Sequence, residues 1–201
     1  GILVFFYRQI LVVGVNSFNG SRFGGTWDGW TLKWYARLFS HREIWLALQN
    51  HLVIALGATL VSSCVCTTAA FALHRYANSR LQRIHYTLIY TPLVVPEILM
   101  GISLLLFFVA MGAELGLFTI FLAHVTFCIS YVAMVVLARL QDFDFSVIEA
   151  AQDLGAGWWA TTWKVLLPLL APGIAAGGLL AFTLSIDDFV ISFFVAGPGS
   201  T

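Results

Sequence analysis

Charged residues are scarce in this sequence: ten bases and ten acids make up only 10% of the chain, against about 25% in soluble domains. Hydrophobic residues account for 60%, and a soluble fold of this length could not bury so much apolar surface. Ordinary soluble domains are therefore excluded. The net charge of +0 and the lack of a basic block also give no indication of a nucleic-acid partner.

Cysteine, histidine and glycine motifs are equally sparse. The three cysteines, Cys64, Cys66 and Cys128, all lie in apolar runs, which indicates free packing thiols; a metal pair at the first two is the alternative. The five histidines show no ligand spacing, and no glycine-rich phosphate loop is present. We therefore expect no metal, no cofactor and no ATP site, and a membrane enzyme would lack a catalytic constellation.

The apolar residues form segments long enough to cross a bilayer, which takes about 20 residues. Backbone in lipid must satisfy its own hydrogen bonds, so these segments are expected to be helices. The predicted fold class is therefore all-α integral membrane with about five spans. The first span carries Arg8 and Gln9 at its middle, and an arginine there costs about 2.5–3.5 kcal/mol. The predicted spans are 1–18, 46–73, 86–110, 115–138 and 173–196.

The connections between these spans differ in composition. Residues 19–43 carry glycines and an aromatic cluster that suits a membrane–water interface. The short segment 74–83 holds three arginines, and the positive-inside rule favours its side as cytoplasmic. The longest connection, 139–172, lies on that same side. The members of the aromatic cluster are Trp27, Trp30, Trp34 and Tyr35.

A short helix is predicted in the longest connection. Ser146, followed three positions later by Glu149, has the form of a capping box with serine at the N-cap. The helix should cover about 147–154 and stop at Gly155, because glycine adopts the left-handed conformation that ends helices. The two alanines after the glutamate leave part of the helix almost bare, so another backbone can approach it closely.

A second helical piece is predicted over about 158–167. It should end at Pro168, with Pro172 opening the next span. The two pieces together predict a small helix–turn–helix at the membrane surface. A plain linker between spans is the alternative, although a linker needs neither this length nor a built cap.

The spacing within this connection resembles the EAA loop of ABC-importer permeases. That motif reads E-A-A, three residues, G, nine residues, I, one residue, L-P, and only Val165, in place of isoleucine, departs from it. The resemblance implies that 139–172 is cytoplasmic and includes the coupling helix, which sits in a groove of the ATPase subunit. The residues that match the motif are Glu149, Ala150, Ala151, Gly155, Leu167 and Pro168.

Further stretches are similar to the second permease of polyamine importers of the spermidine/putrescine type, over nearly the whole chain. Gln9 replaces the proline that commonly sits in the first span of that family. The first helix is therefore expected to differ in geometry from that of the family, while the resemblance itself is unaffected. The stretches that carry the resemblance are NSFNGSRF (16–23), KWY (33–35), AHVTFCISYV (123–132), EAAQDLGA (149–156) and FTLSIDDFVISFFVAGPG (182–199).

The resemblance implies a multi-pass permease of the bacterial inner membrane with the type-I ABC importer fold. Its implied partners are a cytoplasmic ATPase dimer, a sister permease subunit, an external substrate-binding protein and membrane lipid. Residues 1–45 would form the first span and an external loop, and 46–201 the transmembrane domain of the family. Because such permeases have six spans and this chain has five, the sixth is expected to be missing.

Carboxylates inside predicted spans are costly and are therefore functional candidates. Three acids and one histidine fall at similar depth, counted at about 1.5 Å per residue. Groups at one level can line a single cavity, in which fixed anions and aromatic rings hold a cationic polyamine. Of the two adjacent aspartates, the first is expected to matter more. The candidate pathway residues are Glu97, His124, Asp187 and Asp188, with the rings of Tyr90 and Tyr131.

Each candidate also has a structural interpretation. Asp188 can face the aqueous mouth of its helix, His124 can be a packing histidine, and Glu97 can pair with His124 or with a sister subunit. For the whole chain, the alternatives are a permease for another small solute and a proton-coupled secondary transporter. The secondary transporter would use Asp187 or Glu97 as its proton site, and it leaves the loop 146–168 unexplained.

Overall fold

A computed structural model describes residues 2–22, 25–75 and 80–198, and the middle of the predicted basic segment 74–83, residues 76–79, lies outside this description. The described residues are almost entirely helical, which confirms the all-α prediction. Extended pairing within them is limited to an isolated bridge between Asn19 and Trp30. The helices are α1 (Ile2–Asn16), α2 (Lys33–Ser40), α3 (Arg42–Arg75), α4 (Arg80–Val94), α5 (Glu97–Ala110), α6 (Leu117–Gln141), α7 (Ser146–Asp153), α8 (Trp158–Thr161), α9 (Leu167–Asp187) and α10 (Val190–Val195).

Three helical runs in the described chain are long and apolar enough to cross a bilayer: Arg42–Ala69, Leu117–Gln141 and Trp158–Asp187. A fourth crossing exists only if α4 and α5 count as one broken span, because they meet at an angle of 114°. Helix α1 is apolar but only 15 residues long. Against the expected number of about five spans, the described residues thus contain three such runs, or four with the bent pair.

Two of the predicted spans contain helix breaks. The span 86–110 is broken at Pro96, which has no N–H to donate and disfavours helical geometry at the residue before it. The span 173–196 is interrupted at Asp188, whose ψ of 117° is extended, and α10 resumes two residues later. Mean hydropathy does not register either break, since both lie inside continuous apolar sequence.

The helix that follows the connection does not end at Pro168, contrary to the prediction. A π-helical turn, Thr162–Leu166, joins α8 to α9, and the helix runs on through Pro168 and Pro172. A proline removes one bond of the α-helical ladder. The π turn directly before it shifts the ladder to wider i→i+5 bonding, so the chain passes the proline without stopping.

Helix α6 forms the centre of the core of residues 49–201 and packs against α4, α9 and α10. Its contact with α9 is close, because a Cβ at Gly177 would lie 3.3 Å from the Cα of Val132. The thiol of Cys66 on α3 donates to the carbonyl of Ile129 at 2.9 Å, and Cys128 is also buried. Both are free packing thiols, as predicted, whereas the third cysteine is exposed.

The first 48 residues form a compact unit of their own. In the connection between α1 and α2, the side chain of Asn19 is buried and bonds the backbone of three neighbours. The indole of Trp34 donates to the carbonyl of Asn19 at 2.9 Å. Trp27 and Trp30 pack edge to face, with ring centroids 5.0 Å apart, and both remain exposed, as suits an interfacial aromatic belt.

Candidate functional site

A cavity of about 420 Å³ lies where the two helix breaks come together. Its wall includes Glu97 at the start of α5, and Asp187 and Asp188 at the end of α9. Phe127 and Tyr131 of α6 add aromatic rings to the same wall. The structure thus brings together three acids that the sequence places at similar depth.

The helix ends at this cavity carry partial charges of their own. Glu97 lies in the first turn of α5 and Asp188 directly before α10, so both carboxylates sit near positive helix N-termini. Asp187 is the last residue of α9, where the free carbonyls bear a partial negative charge. Of the three acids, Asp187 therefore has the greatest need of a compensating cation.

Asp188 is turned into the protein. Its carboxylate accepts hydrogen bonds from the N–H of Ile191 at 3.2 Å and from the N–H of Ser192 at 2.9 Å, at the start of α10. One oxygen also lies 3.3 Å from Nε2 of His124, and only 6% of the side chain is exposed. The charge of Asp188 is therefore already compensated inside the protein, which favours a structural role.

His124 is fully buried, and both of its ring nitrogens are occupied. Nδ1 lies 2.6 Å from the hydroxyl of Ser185, and Nε2 lies 2.9 Å from the hydroxyl of Ser192. The carboxylate beside the ring is that of Asp188, so the interpretation that Glu97 pairs with His124 is corrected. The reason is that α9 breaks at Asp188, which directs this side chain toward α6.

Asp187 and Glu97 differ from Asp188 in being exposed. Among the described residues, neither carboxylate takes part in a hydrogen bond or an ion pair. Two unpaired carboxylates on the wall of one cavity make the site attractive to a cation. The described residues contain no group of three or more His, Cys, Asp or Glu side chains that could hold a metal ion.

The two tyrosines of the prediction lie in different places. Tyr131 is half-buried on the cavity wall, where it meets Phe127 edge to face with ring centroids 6.5 Å apart. Tyr90 stacks on Tyr86 of the same helix, with centroids 6.1 Å apart, and does not line the cavity. Of the two tyrosines, Tyr131 is therefore the one placed for a cation–π contact with a molecule in this cavity.

Ser185 and Ser192 are site residues that reasoning from the sequence missed. Each binds the buried histidine through its hydroxyl. A signal was present, because positions 185, 188 and 192 are separated by three and four residues and so fall on one helical face. Three polar residues on one face of an apolar segment predict a buried polar contact.

The start of α7 differs from the prediction. The helix begins at Ser146, its N-cap is Phe145, and no side chain caps it, so the proposed capping box between Ser146 and Glu149 is wrong. Asp144 instead accepts a hydrogen bond from the N–H of Ser146 at 3.0 Å. This hydrogen bonding lowers the pKa of Asp144 below its ordinary value. The side-chain acceptor at this end of α7 is therefore a carboxylate two residues before the serine, and it bonds the first N–H of the helix.

The end of α7 agrees with the prediction. Gly155 is left-handed, with φ of 86°. Its N–H donates to the carbonyl of Gln152 at 2.9 Å, and the N–H of Ala156 donates to that of Ala151 at 3.0 Å. These are the paired bonds of a Schellman motif. The glycine therefore sets the direction in which the chain leaves α7.

Helix α7 has one face on the core and one face free. Ile148 packs against the hydrophobic core, whereas Glu149 and Ala150 are exposed and Ala151 is half-buried. Leu154, at the end of the helix, is 90% exposed. Among the remaining residues of the motif, Gly155 and Pro168 are exposed and Leu167 is half-buried.

Comparison with known proteins gives one family and several relatives. Residues 64–201 match the family described as binding-protein-dependent transport system inner membrane component. The chain is 40% identical over 197 residues to the spermidine/putrescine transport system permease protein PotC of Escherichia coli (strain K12), covering 98% of this chain and 74% of the relative.

Two further relatives extend this comparison. The putrescine transport system permease protein PotI of Escherichia coli (strain K12) is 42% identical over 203 residues, which cover 98% of this chain and 72% of the relative. A PotC homolog of Mycoplasma pneumoniae is 31% identical over 214 residues, which cover all of this chain and 74% of the relative.

Proposed function

The chain belongs to the family of binding-protein-dependent transport system inner membrane components, and we propose that it forms half of the translocation pathway for a polyamine such as spermidine or putrescine. It is a multi-pass inner-membrane permease component of an importer, and such components work with an ATPase and a binding protein. The finer proposal adds a cytoplasmic ATPase dimer, a sister permease and an external binding protein. ATP hydrolysis then takes place in the partner, not in this chain.

The anionic cavity at the two helix breaks is the observation that carries the proposal. Asp187 and Glu97 are exposed on its wall and lack a partner among the described residues. A polyamine carries separated ammonium groups joined by methylene chains. Two carboxylates suit the ammonium groups, and the rings of Phe127 and Tyr131 suit the methylene segments and the cations.

Helix α7 is the element through which ATP hydrolysis reaches this cavity. Its exposed face, with Glu149, Ala150 and Ala151, supports contact with a groove of the ATPase, on the cytoplasmic side of the membrane. Gly155 sets the exit direction of the chain, and the continuous helix from α8 through Leu167 and Pro168 leads to Asp187. A movement imposed on α7 can thus pass through the turn at Gly155 into one continuous helical run that ends at the cavity.

Uptake by the purified importer in proteoliposomes tests the proposal. Asp187→Asn and Glu97→Gln should each lower the rate of ATP-dependent polyamine uptake by about tenfold, which corresponds to ~1.4 kcal/mol, because each removes one fixed anion. The matched control is Glu114→Gln, since Glu114 is exposed in the turn between α5 and α6 and does not line the cavity. It should transport normally.

The outcomes separate the proposal from its competitors. Normal polyamine uptake by both neutral variants would refute a role for these carboxylates in the pathway. Uptake of another solute, but not of a polyamine, would identify a permease of different specificity. Uptake driven by a proton gradient without ATP would instead establish a secondary transporter. Loss of assembly in either variant would assign that carboxylate a structural role.

A further inference from the structure

We propose that His124 is a positioning residue for transport: together with Ser185 and Ser192 it holds Asp188 in place, and so fixes the helix break that brings Asp187 into the cavity. The inference rests on the proposed function, because it assigns Asp187 to the passage of the cation. His124 itself does not line the cavity. It acts through Asp188, which is turned into the protein, on the neighbouring Asp187, which is exposed on the cavity wall.

The polar cluster joins three helices at one point. His124 lies on α6 and bonds Ser185 of α9 through Nδ1, at 2.6 Å, and Ser192 of α10 through Nε2, at 2.9 Å. Helix α6 is also the most enclosed of the membrane-spanning helices. The ring is therefore attached to the most enclosed of these helices, and it bonds the two helix pieces on either side of the break.

Asp188 links the buried histidine to the backbone at the start of α10. Its carboxylate accepts both N–H groups at the start of α10, from Ile191 and Ser192, and also the Ser192 hydroxyl at 3.0 Å. These bonds require the extended backbone at Asp188 (ψ 117°). With Asp188 turned inward, the preceding residue, Asp187, is left exposed on the cavity wall.

Stability alone does not explain such a cluster. Burying a histidine, an aspartate and two hydroxyls costs desolvation energy, and replacing a buried polar group by a packed apolar one of similar volume is often neutral or stabilising. A fully satisfied polar network instead selects one geometry, because its hydrogen bonds have directions. What the cluster specifies here is the position of the break, and hence the position of the Asp187 carboxylate.

A double-mutant cycle with Asp187 tests this assignment. His124→Leu should lower polyamine uptake about tenfold in the assembled importer. In the Asp187→Asn background, the same change should have little further effect, because the carboxylate through which it acts is already gone. A general loss of stability would not depend on Asp187. His124→Gln should restore part of the uptake, since its amide can still bond Asp188.

The controls keep the inference separate from the proposed function. His51→Leu, at a half-buried histidine of α3 away from the cavity, should transport normally. If His124→Leu fails to assemble, Ser185→Ala takes its place in the cycle. It removes the Nδ1 contact that orients the ring toward Asp188, so it should lower uptake less than His124→Leu does, and only where Asp187 is present.

Three results would overturn the inference. The first is a His124→Leu or Ser185→Ala effect of equal size with and without Asp187. The second is normal uptake by both variants. The third is the absence of any rescue by His124→Gln. Where Asp187→Asn itself transports normally, the proposed role of the cavity fails first.

Discussion

Replacing Gly155 by alanine isolates the contribution of one backbone conformation to coupling. The residue has φ of 86°, and a Cβ built on it meets nothing within 4 Å. The substitution therefore introduces no clash, only the cost of a left-handed L-residue, about 1–2 kcal/mol. Alanine also reduces the freedom of the unfolded chain, which returns about 0.4–1 kcal/mol. The net cost is about 1 kcal/mol.

A cost of about 1 kcal/mol shifts the balance between the native turn and other exits from α7 about fivefold. We expect polyamine uptake per ATP hydrolysed to fall by up to that factor in Gly155→Ala, while membrane insertion is unchanged. The measurement is ATPase activity and uptake in the same proteoliposomes. Full coupling in this variant would refute the reasoning.

Substitutions at two other glycines, and a second substitution at Gly155, show whether backbone strain causes the loss of coupling. Gly112 is also left-handed, with φ of 68° and free space for a Cβ, but it lies in the turn after α5, so Gly112→Ala should leave coupling intact. Gly157→Ala adds a Cβ within the same loop at a position outside the left-handed region, where φ is −66°, and should reduce coupling less than Gly155→Ala. Gly155→Asn should outperform Gly155→Ala, since asparagine tolerates left-handed geometry. If coupling is weaker in Gly155→Asn than in Gly155→Ala, the cause is the size of the side chain next to the ATPase and not backbone strain.

Three further predictions concern other parts of the chain. Ala151→Leu should abolish uptake and weaken co-purification of the ATPase while the permease still inserts; unchanged uptake would contradict a docking surface on α7. Gly197→Ala would place a Cβ against the carbonyl oxygen of Leu115, and such overpacking should destabilise the protein by about 1–3 kcal/mol; an unchanged Tm in detergent would contradict this. Hydrogen bonds lower the pKa of Asp144 below its ordinary value of 3.8. The stabilisation that its ionised form gives to the start of α7 is therefore fully present above that value. It is lost only as the pH falls through the lower pKa of the folded protein. Asp144→Ala should therefore reduce coupling by the same factor at about pH 5 and about pH 8, and a factor that differs between them would contradict this.

Local chain chemistry predicted part of the connection 139–172 correctly. The left-handed turn at Gly155 follows from glycine after a short helix, since other residues pay for that conformation. The cap at Ser146 failed because Asp144, two residues earlier, is a competing acceptor with a full charge. The stop at Pro168 failed because the rule assumes an α-helix, and a π turn precedes this proline.

The candidate cavity shows the limit of reasoning from hydropathy. Depth along a span placed Glu97, Asp187 and Asp188 at one level, because rise per residue is constant. The rotation of each helix, which decides what a side chain faces, depends on breaks and packing that average hydropathy does not contain. The different orientations of the two aspartates, and the pairing of His124 with Asp188, therefore emerged only from the structure.

The position of His124 on α6 also has a consequence for how the chain is made. An aspartate at the middle of a span costs about 2.5–3.5 kcal/mol on insertion scales, and the segment that ends in α10 carries two of them. The ribosome synthesises α6 before this segment. His124, the partner of Asp188, is therefore already in the membrane when the acidic segment leaves the translocon. Biogenesis then follows the order of the sequence, with α6 as the template against which the acidic segment folds.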